Sequence, residues 1–81
     1  MDIVKDDWKS RISSSEEILN GKPVIKGTRL SVIFILNLIH NGASFSEICD
    51  EYRELSPNDI KACISFAIQS IESHSLHRLS A

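Results

Sequence analysis

Between Ser31 and Asn41-Gly42 runs Val32-Ile33-Phe34-Ile35-Leu36-Asn37-Leu38-Ile39-His40, a segment apolar on nearly every side of a helix. Ser31 is a good N-cap and Asn41-Gly42 a good stop, so the segment predicts a helix with fixed ends. A helix apolar all round must be covered on most sides, by its own domain or by an interface. The chain has only 81 residues, and a domain of that size buries roughly 60–65% of the surface its unfolded chain exposes. The helix therefore needs close neighbours within the chain, and a second copy or a partner is a natural way to finish covering it. A homodimer is expected, with Phe34, Leu38 and Phe66 as candidate interface residues.

The neighbours are legible downstream. Ser44-Phe45-Ser46-Glu47 fits a capping box and opens a short helix over about 45–52, with Phe45, Ile48, Cys49 and Tyr52 on one face. Arg53-Glu54-Leu55-Ser56 reads as a turn. Ser56 then caps a third helix with Pro57 at its first position, where proline sacrifices no hydrogen bond, and Asp59 places negative charge at the positive helix end. Ile60, Cys63, Ile64, Ala67, Ile68 and Ile71 form its inward stripe to about residue 73. A short helix, a tight turn and a longer capped helix make a helix-turn-helix pattern, and the first apolar helix supplies the third member of the core.

Upstream the pattern is extended. Lys22-Pro23-Val24-Ile25-Lys26-Gly27 looks like a short strand between turns, and Arg11-Ile12-Ser13 could be its partner, giving a small two-stranded element. Gly21 and Gly27 are expected to supply unusual backbone angles. Residues 1–10 read as a loose arm with Trp8 as an anchor, residues 11–73 as the domain, and residues 74–81 as a tail.

Charge decides what the helix-turn-helix can bind. The net charge is −2, which argues against a surface coated in positive charge for nucleic acid. With Ile60 and Ile64 inward, Asn58, Ala62, Ser65 and Gln69 face outward on the third helix, with Lys61 at the flank. Asn58 and Gln69 have the chemistry to read adenine edges and Lys61 to meet a phosphate. Yet residues 44–81 hold Glu47, Asp50, Glu51, Glu54, Asp59 and Glu72 against Arg53, Lys61 and Arg78, a poor balance where phosphate attraction dominates affinity. Positive charge lies earlier, in Lys5, Lys9, Arg11, Lys22, Lys26 and Arg29. Lys22, Lys26 and Arg29 are therefore DNA-contact candidates beside Asn58, Lys61, Ser65 and Gln69. The alternative is that these cations balance Asp2, Asp6, Asp7, Glu16 and Glu17 in solvent. Arg29 is either displayed by a rigid turn or braces the first helix. Phe66 points off the main stripe and is expected to pack on the N-terminal segment or on another chain.

Other chemistries find no support. The Gly21-Lys22 to Gly27-Thr28 run lacks the Gly-Lys-Ser/Thr ending of a phosphate loop. Cys49 and Cys63 form no C-x-x-C pair and read as small buried hydrophobes in a reducing compartment. His40, His74 and His77 offer no third metal ligand and no catalytic set, so neither a cofactor nor an enzyme is expected. Met1 to Asp7 is too polar for a signal peptide, and the longest apolar run, Leu30 to Ile39, falls short of the ~20 residues of a membrane span. The expected location is the cytoplasm.

Ile12-Ser13, Glu17-Ile18-Leu19 and Gly21-Lys22-Pro23-Val24-Ile25-Lys26-Gly27-Thr28-Arg29-Leu30 resemble the signature of the domain of unknown function 433 family. The resemblance continues through Leu38, Gly42, Phe45-Ser46-Glu47-Ile48, Tyr52, Leu55, Ser56 and Asp59-Ile60 to Ala67, covering about residues 8–71. Asn20 and Ser31 stand where glycine and proline are frequent. The resemblance implies a mainly α, homeodomain-like three-helix fold behind a small β element. It also implies an antitoxin-like role: sequestering a PIN-like toxin nuclease, with repression of its own operon through promoter DNA as a further role. The alternative is a structural or protein-interaction domain that never touches DNA.

Overall fold

The computed structural model describes residues 7–73. The chain runs α1 (Asp7–Arg11), β1 (Ile12–Ser13), a 3-10 turn at Leu19–Gly21, β2 (Val24–Ile25), α2 (Val32–His40), α3 (Phe45–Glu51) and α4 (Pro57–Ser73). It is mostly helical, with one small antiparallel sheet that pairs Ile12 with Ile25 and Ser13 with Val24.

Each helix begins where its capping chemistry dictates. The Ser31 hydroxyl accepts from the Phe34 amide at 3.0 Å. Ser44 and Glu47 form a reciprocal capping box, at 3.1 and 2.8 Å. At α4 the Asp59 Oδ2 accepts from the Ser56 amide at 2.9 Å, while the Ser56 hydroxyl accepts from the Asp59 amide at 3.4 Å. The sheet is held to α2 by Val32 N–H donating to Pro23 O at 3.0 Å. Thr28, rather than Arg29, braces the connecting loop: its hydroxyl donates to Ile25 O and accepts from the Leu30 amide, at 2.8 and 2.9 Å. Leu19, Asn20 and Gly21 are consecutive left-handed residues (φ 50°, 59° and 85°), a conformation easy for glycine and asparagine and costly for leucine.

The core gathers Ile12, Ile25, Val32, Ile35, Ile48, Leu55, Ile60, Ala62 and Cys63. Ile35, Ile60 and Cys63 are completely buried. Two expectations about α4 are corrected. Ala62, expected outward, is buried, while Ile68 and Ile71, expected inward, are 53% and 52% exposed. The cause is what lies on the other side of the helix. Residues 7–10, expected as part of a loose arm, are helical from Asp7 and dock on α4. Trp8 meets Phe66 edge-on at 5.0 Å between ring centroids, so the N-terminal segment is what Phe66 packs on. Ala62 precedes Phe66 by one helical turn and shares its side. Its small side chain lets the docked layer approach. The Trp8 Nε1 is buried without an acceptor, so packing, not a hydrogen bond, seats that ring. Residues 1–6 of the expected arm and the tail at 74–81 lie outside the described residues.

At 1.5 Å per residue, the 17 residues of α4 span roughly 25 Å and the nine of α2 roughly 13 Å. The last turns of α4 therefore carry Ile68 and Ile71 beyond full cover.

Candidate partner-binding surfaces

On the α3 side, the capping box starts the helix so that Ile48 turns inward, while Glu47, Asp50 and Glu51 face solvent. Glu54 follows in the exposed turn. Glu47 is engaged with the Ser44 amide. Asp50, Glu51 and Glu54 have no ion pair among the described residues. Beside them lies a groove of about 290 Å³ lined by Leu38, Ala43, Ile48 and Tyr52, with Glu47 and Glu51 at its edge. Phe34 stands against Tyr52, edge to face at 5.6 Å. Two expected interface residues, Phe34 and Leu38, thus belong to this side, and Phe66 to the other.

The proposed DNA-reading residues divide. Asn58, Lys61 and Gln69 are exposed on α4, and Ser65 is half-buried. The basic loop does not join them in one patch. Lys22 borders an apolar groove at the far half of α4. Lys26 sits in the turn after β2, its amide donating to Arg11 O at 2.8 Å. Arg29 is exposed and shares a shallow depression with Ile18 and Glu54. It makes no hydrogen bond among the described residues, so it is displayed rather than a brace. Besides Lys61, the N-terminal end of α4 is approached by Arg11 of α1, whose Nη1 is held at 3.0 Å by Asp59 Oδ1. That pair withdraws positive charge from the end of α4 nearest Asn58 and Lys61.

The second groove, about 500 Å³, lies between α2 and the last turns of α4. Val32, Ile33, Leu36, Phe66, Ala67 and Ile71 give it apolar walls. Sequence reading missed it because an inward stripe and an exposed one look alike at helical spacing. The one available signal was the unequal length of the two helices.

The cysteines differ sharply. Cys49 is half-buried and Cys63 fully buried, and both are free thiols. Burial, with a smaller contribution from the Asp59 charge, pushes the Cys63 thiol from 9.0 up to about 12. A thiol reagent at pH 8 is expected to modify Cys49 in the folded protein and Cys63 only after unfolding. Equal rates at both would contradict the burial. The raised value also sets a pH dependence. The folded state keeps the Cys63 proton where the unfolded chain loses it, so stability is fully present below pH 9 and falls as pH rises toward 12. His40 is exposed. Among the described residues no group of three His, Cys, Asp or Glu side chains comes together in a way that could hold a metal ion. No helix among them is long and apolar enough to cross a membrane.

A family model described as a protein of unknown function (DUF433) matches residues 12–67. No curated protein and no solved structure matches the chain.

Proposed function

The chain belongs to the DUF433 family of proteins of unknown function, and on that footing we propose that it is an antitoxin-like module that binds and restrains a PIN-like toxin nuclease in the cytoplasm. The observation that carries this reading is the run of exposed carboxylates Asp50, Glu51 and Glu54, with Glu51 at the edge of the Leu38–Tyr52 groove and Glu54 at the neighbouring depression it shares with Arg29. A nuclease that acts on RNA needs a cationic path for the phosphates. An acidic face with an apolar notch complements such a path in charge and gives a partner aromatic or aliphatic side chain somewhere to seat. The module would act by occupancy, with no chemistry of its own. In this reading α2, α3 and α4 are the three helices of a homeodomain-like core, and the sheet and α1 are the layer that braces it.

The test is co-purification of the untagged chain with the tagged nuclease encoded beside it. The expected result is one complex that loosens as salt rises. A Glu51→Lys, Glu54→Lys double variant should bind at least about tenfold more weakly, because like charges then meet across the interface. A neighbour that never co-elutes, at low salt or high, would overturn the reading.

Operon repression through promoter DNA is the second reading. The exposed Asn58, Lys61 and Gln69 on α4 favour it. The acidic surroundings and the Arg11–Asp59 pair weigh against it, and leave a protein-interaction domain without DNA binding as the alternative. A mobility shift at low salt, with and without the nuclease, separates them: a preference for its own promoter supports repression, and none removes it.

A further inference from the structure

The groove between α2 and the last turns of α4 plays no part in that reading, and shares no lining residue with the acidic side. We propose that it seats a second copy of this chain, packed about a two-fold axis.

Ile33, Ile68 and Ile71 are 55%, 53% and 52% exposed. Ile33 stands on α2, and Ile68 and Ile71 lie one turn apart on α4. Ile33 and Ile71 line the groove with Leu36, Phe66 and Ala67 as a continuous apolar surface, and Ile68 extends it one turn earlier on α4 by helical spacing. The three isoleucines alone leave roughly 300 Å² of apolar surface in water, which is at the scale of the largest patch on a typical monomer. An ordinary stable interface takes about 800 Å² from each partner, an apolar centre within a polar rim. The patch is the right size for that centre.

A two-fold interface must be complementary to itself. This surface has both halves of the fit: protruding isoleucines on α2 and α4, and a trough between the helices for the partner's isoleucines, ridge into groove. Exposed charges of both signs stand in or next to its lining in sequence. Lys22 stands at the loop side, and Glu72 follows Ile71 on α4, both exposed. Two copies related by a two-fold axis can set the lysine of each against the glutamate of the other. A nucleic acid has no use for isoleucines here, and a cationic nuclease surface is better served by the acidic side. The free dimer would leave the α3 face open, so a toxin and a second copy could be bound at once.

The test is sedimentation of the full chain alone, with no nuclease present, across micromolar concentrations. A monomer–dimer equilibrium is expected. Ile71→Asp and, separately, Ile33→Asp should each weaken the dimer at least about a hundredfold by burying an unpaired charge, while circular dichroism stays that of the parent. Leu19→Asp, at a residue 42% exposed but outside the groove, should leave the dimer as it was. A parent chain that stays monomeric throughout overturns the proposal. So does a dimer that survives both aspartates, or one whose inter-copy cross-links join α3 to α3. Should one aspartate variant unfold, the other still decides, because the two stand on different helices. Loss of toxin binding with the dimer intact would count against the antitoxin reading alone.

Discussion

Replacing Ile60 by alanine is expected to destabilise the fold by about 3 kcal/mol, and replacing Ile71 by alanine to change it by less than about 0.5 kcal/mol in the monomer. Both are isoleucines on one face of the same helix by sequence spacing. Ile60 is completely buried among Ile35, Ile48, Leu55 and Cys63, whereas Ile71 is 52% exposed. Truncating the first removes transfer free energy and leaves a cavity that close-packed neighbours cannot fill. Truncating the second removes atoms already in water. A domain of this size has a total stability of roughly 4–12 kcal/mol, so the first change would consume much of it. Urea unfolding at a concentration low enough to exclude self-association checks the pair. Similar midpoints for the two variants would mean that the inward and exposed halves of α4 have been misassigned.

The contrast also marks how far sequence reaches in this protein. Caps are local, and each is legible: Ser31, Ser44 with Glu47, and Ser56 before Pro57 all cap the helices they precede. The sheet is legible because Gly21, Pro23 and Gly27 punctuate it. What sequence does not carry is the partner of each helix face. Ala62 reads as outward until α1 is known to dock beside it. Ile68 reads as inward until the lengths of α2 and α4 are compared. Of the candidate site, the acidic residues of α3 were legible as an unfavourable charge balance for DNA. Their role as a face, next to Leu38 and Tyr52, needed the turn that brings α2 alongside α3. Arg11 was legible as a cation and not as a spent one, because its partner lies 48 residues away.

The second large effect is expected at Asp59. Asp59→Ala should destabilise the protein by about 2 kcal/mol, roughly half from the lost helix cap and the rest from the Arg11 pair. One carboxylate makes both sets of contacts: Oδ2 accepts from the Ser56 amide, and Oδ1 meets Arg11 at 3.0 Å. The Arg11 side chain is 38% exposed, so solvent screens the pair and its share stays at or below about 1 kcal/mol. Asp59→Asn keeps an acceptor for the cap and loses the charge, and should cost about half as much. Denaturant midpoints of the two variants provide the check. A loss within about 0.5 kcal/mol for the alanine variant would mean that the contacts contribute nothing net.

The 48-residue span bridged by Arg11 and Asp59 also orders events in time. Closing a flexible loop of that length costs roughly 3 kcal/mol of chain entropy before any contact repays it, whereas α2, α3 and α4 meet through turns of a few residues. Unless the β1–β2 pairing forms early and shortens that loop, the first segment of the described chain is expected to reach its place last, docking on helices already assembled. Interactions that form after the barrier slow unfolding and leave the folding rate almost untouched. The Asp59→Ala loss at its Arg11 end should accordingly appear as faster unfolding, making α1 the latch that sets how long the native state lasts.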